Sequence, residues 1–253
     1  DAPEVFARYF GQYSPIYTKL YLDRFVRLFN RAASFDAVSD TLVQHVKHLR
    51  GVKDGTHKTA LTFPPSTSSP VKTLEMRSSC FDPESKVRRI GFCGSLRISE
   101  RQWLRFLGCL GRLPFDFELI VFSNNDYFFK AQLPDNVSVI KKEYAETEQD
   151  VKEVFLNEQV HSGYMGLWRD DSMDLFCRTS LSSKLATYAS IGSPIIVDGP
   201  EYSAGWNLVK KYGAGVLVGA DEKGAVHHLT ELFQDAGVWH RKADSALELW
   251  SQE

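Results

Sequence analysis

Residues Arg178 to Glu201 read RTSLSSKLATYASIGSPIIVDGPE. A polar turn carries Ser182 and Ser183, either of which suits the N-cap of a helix from about Lys184 to Ser190. Gly192 is placed to stop that helix in a left-handed conformation, and Pro194 opens an apolar run to about Val197 that reads as a buried strand. The turn therefore delivers a helix N-terminus. Its backbone N–H groups and the positive end of the helix dipole suit an anion, and Lys184 adds a full charge beside them.

The same rhythm extends on both sides. Upstream, RRIGFCGSL reads as strand and turn, Glu100 to Leu110 as helix, FELIVFSN and NVSVIKK as strands, Asp150 to Leu156 as helix and SGYMGLW as strand. Downstream, AGVLVG is a strand, and two helices lie within 223 to 251. Continuous apolar strands alternating with helices predict a parallel sheet covered on both faces, a doubly wound α/β architecture. Ligands of such sheets bind at the carboxyl ends of the strands. FCGSLRISER is a second candidate on that edge: Gly94 and Ser95 form the turn after a buried strand, and Arg97 and Arg101 fall near the next helix start. No complete dinucleotide fingerprint or P-loop is present, which disfavours NAD binding and P-loop chemistry.

Before residue 86 the texture differs. Ser14 and Pro15 predict a helix to about Arg31 with an apolar face of Ile16, Tyr17, Leu20, Tyr21, Phe25, Leu28 and Phe29, which is expected to pack on a domain or partner. Peripheral membrane contact through these aromatics with Lys19, Arg24 and Arg27 is the other reading. Phe35 to Val38 reads as a strand, followed by a helix capped by Ser39, and KTALTF as another strand. PPSTSSP, residues 64–70, reads as a linker. The expected organisation is therefore 1–66, 67–85 as linker, and 86–253.

Composition narrows the class. The 253 residues are 43% hydrophobic with a formal charge of −2, an ordinary soluble balance with no basic excess for nucleic acid. The four cysteines have no paired spacing and read as reduced thiols. No run reaches the ~18 apolar residues of a membrane span, so a cytoplasmic location, peripheral at most to the inner face of a membrane, is expected. The chain begins with Asp1, which suggests a piece of a longer protein. His45 and His48 lack a third ligand with metal spacing, and His227 and His228 fit a polar helix surface.

Taken in order, DAVSDTL, the PP linker, strand-GSL, ELIVFS, NVSVI, TSLSSKLATYASIGSPIIVDGPEYS and GAGVLVG resemble a retaining nucleotide-sugar glycosyltransferase of the GT-B fold. The most specific piece is SKLATYASIGSPIIV. The resemblance implies a GT-B C-terminal domain preceded by the tail of an N-terminal acceptor-side domain. It implies a nucleotide-sugar donor as substrate, with neither cofactor nor resident metal, and a carbohydrate or lipid-linked acceptor. It places Gly94, Ser95, Arg97 or Arg101, Ser182, Ser183 and Lys184 around the donor diphosphate, and Thr179, Ser180, Leu181 and Thr187 toward the sugar and nucleoside. The family commonly has glutamates where this chain has Thr179 and Thr187, and a threonine cannot supply a carboxylate clamp on two hydroxyls. The alternative is a non-catalytic module of the same fold that binds a nucleotide or a protein.

Overall fold

The computed structural model describes residues 15–32, 34–37, 39–53, 58–61, 81–94, 100–123, 132–143, 145, 147–167 and 174–251. The chain divides into two units. One comprises Asp1–Pro64, Arg169–Leu181 and Tyr202–Ala204; the other comprises Pro65–Trp168, Ser182–Glu201 and Gly205–Glu253.

In the first unit α1 (Pro15–Phe29) precedes β1 (Ser34–Ala37), α2 (Asp40–Lys47) and β2 (Lys58–Leu61), and the two strands pair in parallel. Phe29, Ala37, Leu42, Val43 and Val46 make a small core. The apolar face expected on α1 divides. Phe25 and Phe29 turn toward that core, whereas Ile16, Leu20 and Leu28 are exposed, because an apolar arc this wide on one helix exceeds what a single neighbouring layer can cover. Ser39 caps α2 as the sequence predicts, its hydroxyl accepting from the Leu42 N–H at 3.1 Å.

Residues 169–181 belong to this first unit although they lie in sequence among the strands of the second. Among them is a short helix, α5 (Asp174–Thr179). Its attachment is specific. The Ser39 hydroxyl donates to the Thr179 carbonyl at 2.6 Å, Thr41 donates to the Arg178 carbonyl, and Leu175 packs on the small core. Carbonyls at the negative end of one helix thus meet the N-terminus of another, satisfying groups that would otherwise lack partners.

The second unit is the doubly wound sheet. Its strands are β3 (Val87–Cys93), β4 (Asp116–Phe122), β5 (Val137–Lys141), β6 (Ser162–Gly166), β7 (Ile195–Asp198) and β8 (Gly215–Val218), in the spatial order β5-β4-β3-β6-β7-β8, every pair parallel. The order runs outward in both directions from the β3–β6 pair. That is the arrangement of Rossmann-like sheets, and it puts the topological switch point between β3 and β6.

Helices follow the expected segments: α3 (Glu100–Leu110), α4 (Glu148–Asn157), α6 (Ser183–Ser190), α8 (Glu222–Gln234) and α9 (Ala236–Ser251), with α7 (Ala204–Tyr212) where the sequence reading assigns no element. Trp103, Phe106 and Leu110 of α3 pack with Leu229 and Phe233 of α8 against Ile90, Leu119, Tyr164 and Ile196, one face of the sheet. On the other face the sheet is shaved by glycine. A β-carbon on Gly91 would lie 2.2 Å from the Phe155 ring, and one on Gly163 would lie 2.3 Å from the Tyr188 ring. Gly91 and Gly163 are direct partners across β3 and β6, so Phe155 and Tyr188, stacked at 5.6 Å, lie on the bare backbone of the central pair.

Beneath the sheet Arg88 is fully buried. Its guanidinium donates to the carbonyls of Phe233 at 2.9 Å, Asp82 at 3.1 Å and Pro83 at 3.2 Å and lies between the rings of Phe81 and Phe115. Among the described residues no helix is long and apolar enough to cross a membrane.

Candidate anion-binding site at the switch point

β3 ends at Cys93, and Gly94 turns the chain away with a φ of +98°, a backbone that side chains beyond hydrogen rarely adopt. The turn is anchored by the Gly94 N–H donating to the Phe122 carbonyl at 2.9 Å. A second constraint acts on the same position. A β-carbon there would sit 3.2 Å from Nζ of Lys184, so the glycine admits the ammonium directly against the backbone. Lys184 stands in the first turn of α6, and its Nζ lies 5.6 Å from the centroid of the Phe92 ring. Gly94 and Lys184, 90 residues apart in sequence, therefore meet at the carboxyl end of β3.

Ser182 is the N-cap residue of α6 with extended backbone, as the sequence predicts, but its hydroxyl makes no capping bond. Ser183 is the first residue of the helix and is exposed. The N-terminus of α6 thus combines amide donors, the positive end of a dipole and an ammonium, the combination that suits a phosphate or diphosphate. Arg101 lies on the first turn of α3 and is exposed, while Ser95 and Arg97 fall outside the described residues.

Tyr188 underlies this corner, a residue the sequence reading does not single out. The Cys93 N–H donates to its hydroxyl at 3.3 Å, and that hydroxyl donates to the Tyr164 carbonyl at 3.2 Å. The strand register between β3 and β6 ends at Gly91 and Gly163. Beyond it a phenol takes the place of a direct rung, bridging an amide of one strand to a carbonyl of the other. Burial holds the phenol well above its ordinary pKa, so it stays a donor, and burial likewise pushes the Cys93 thiol up, keeping it neutral. Glycines inside two buried strands were the available signal, since a strand glycine marks a close approach.

A second buried group braces the same edge. Asp198, fully buried at the end of β7, pairs with Arg105 of α3 and accepts from the Tyr164 hydroxyl at 2.9 Å; Arg105 also donates to the Gly219 carbonyl after β8.

The residues expected toward sugar and nucleoside separate between the units. Thr187 lies in the second unit on α6, buried, with its hydroxyl donating to the Ser183 carbonyl at 3.3 Å. Thr179, Ser180 and Leu181 lie in the first. The Thr179 hydroxyl donates to the Leu175 carbonyl at 2.8 Å within α5, and the Ser180 N–H donates to the Phe176 carbonyl at 2.9 Å. In that unit the Asp174 carboxylate accepts from the Tyr202 hydroxyl and, at 2.7 Å, from Arg178. These bonds hold it below the usual carboxylate range and push the Tyr202 phenol up to about 12.

The strand order, the helices on both faces and the glycine turn at the switch point define a Rossmann-like α/β unit with the fold seen in GT-B glycosyltransferases. No protein-family model matches this chain, and no curated protein matches it in sequence. Solved structures match in fold. WaaG, a glycosyltransferase involved in lipopolysaccharide biosynthesis, superposes with a TM-score of 0.55 at 11% identity over 86% of this chain and 58% of its own. A glycosyltransferase from Rickettsia africae gives 0.58 at 10% identity over 99% of this chain and 75% of its own. HepE from Anabaena, solved with UDP and glucose, gives 0.53 at 13% identity over 92% and 62%. At these identities the likeness is one of fold, and the chain spans less than two thirds of the length of WaaG and of HepE.

Proposed function

We propose that this chain is the nucleotide-sugar-binding part of a glycosyltransferase that moves a sugar, with retention, from a nucleoside-diphosphate donor to a carbohydrate or lipid-linked acceptor. The observation that carries the reading is the Lys184 ammonium lying against Gly94 at the switch point of a sheet whose fold matches solved glycosyltransferases. As the bond from the anomeric carbon to the diphosphate oxygen breaks, negative charge grows on the departing diphosphate. Lys184 and the first amides of α6 are placed to stabilise it more than the intact donor, which lowers the barrier.

Calorimetric titration with UDP-, GDP- and dTDP-sugars tests the reading; absence of heat with all of them at millimolar ligand would sink it. Lys184→Glu should weaken donor binding by about thirtyfold, the equivalent of about 2 kcal/mol. Unchanged affinity would remove Lys184 from the site. A second reading, a non-catalytic module that binds a nucleotide, is favoured by Thr179 and Thr187, whose hydroxyls are each bonded within their own helix. Release of free sugar from a bound donor, or its transfer, separates the two.

A further inference from the structure

We propose that His227, His228 and Glu231 of α8 form a surface site for a borderline divalent cation of the zinc and nickel class. The three donor atoms lie within 4.8 Å of one another. Glu231 stands four residues after His227 and three after His228, the two spacings that bring helical side chains together. Nε2 of His227 lies 3.6 Å from one Glu231 oxygen and Nδ1 of His228 lies 3.6 Å from the other.

That separation is too long for a hydrogen bond. It is close to the roughly 3.4 Å between two ligands of one tetrahedral ion with bonds of about 2.0–2.1 Å. The two imidazole ring centroids lie 5.4 Å apart with the rings inclined at 45°, and their donor nitrogens fall within the same 4.8 Å limit. The donor set selects among metals: two imidazoles and one carboxylate suit zinc, nickel, cobalt or copper, whereas magnesium and calcium require oxygen ligands. All three side chains are at least half exposed, which leaves the outer coordination positions to water or to a ligand from another molecule. The Lys242 ammonium, whose charge feels Glu231, donates to the Gly215 carbonyl at 2.8 Å. The sequence places the two histidines on a polar helix surface, and the structure adds Glu231 beside them.

The test is calorimetric titration of the chelator-stripped protein with zinc chloride, then nickel chloride, then magnesium chloride. One ion per chain is expected for zinc and nickel, and no binding for magnesium. His227→Ala and Glu231→Gln should each weaken zinc binding by about tenfold or more. Both positions are exposed, so thermal melts of the metal-free variants should match the parent. His45→Ala, on α2, should leave zinc affinity unchanged. Absent zinc binding, equal binding of magnesium, or affinity insensitive to both α8 substitutions overturns the proposal.

Discussion

His161 pairs with β3 through its ring and its backbone at once. Its Nδ1 accepts from the Arg89 N–H at 2.8 Å, and its own N–H donates to the Arg89 carbonyl at 2.9 Å. Burial, with Arg88 and Arg89 nearby, lowers its pKa to about 3, so the folded state holds a neutral ring. An unfolded histidine takes up a proton near pH 6.5. Between those values the unfolded chain binds more protons than the folded one, so stability falls as pH drops from 6.5 and the loss is complete only near the folded value. At pH 5 the loss is about 2 kcal/mol relative to neutral pH. His161→Asn offers an oxygen to the Arg89 N–H and cannot titrate. Urea unfolding at pH 7 and pH 5 should show the difference between the two pH values shrinking in the variant by about that amount; an unchanged difference would mean that His161 does not set it.

At the level of elements, the switch point depends on α6 lying close enough to the sheet for a side chain to replace a rung. Gly91 and Gly163 permit that approach, and the Tyr188 hydroxyl completes it. Tyr188→Phe keeps the ring on the glycines but leaves a buried amide and carbonyl without that bridge, a loss of about 1–3 kcal/mol. Hydrogen exchange reads the effect locally: the Cys93 amide should exchange faster in the variant while amides in β5 keep their protection. Equal protection at Cys93 would show that the phenol is not its acceptor. Much of this element scale was legible in the residues. Ser39 and Gly192 marked helix ends that the structure keeps, and Glu100 to Leu110 is a helix over the expected range. The Tyr188 bridge was not legible, because a tyrosine within SKLATYAS carries no mark of the strands it will join. The short helix α5 was hidden for a related reason: six residues hold too few turns for periodicity, and Ser39 and Thr41 attach it from far away in sequence.

For the molecule as a whole, the buried parallel strands announced themselves as continuous apolar runs, but their lateral order did not, since every run is equally apolar. What fixes neighbours is long-range and polar as well as apolar. Arg105 reaches from α3 to Asp198 at the end of β7 and to the Gly219 carbonyl after β8, while Tyr164 of β6 donates to the same carboxylate. Three strands and a helix that starts on the far side of the switch point are thereby joined at the edge where Gly94 and Lys184 meet. Asp198 has no exposure to solvent, so removing its cation leaves a buried charge undercompensated. Arg105→Ala should destabilise the protein by about 3–5 kcal/mol, measured as a lower urea midpoint at unchanged slope. Adding Asp198→Asn to that variant removes the stranded charge and should recover part of the loss, because a neutral amide can still accept from the Tyr164 hydroxyl. A loss below about 1 kcal/mol for Arg105→Ala would mean that the pair behaves as a solvated surface bridge, and the ordering of the sheet's carboxyl edge would then rest on its apolar faces alone.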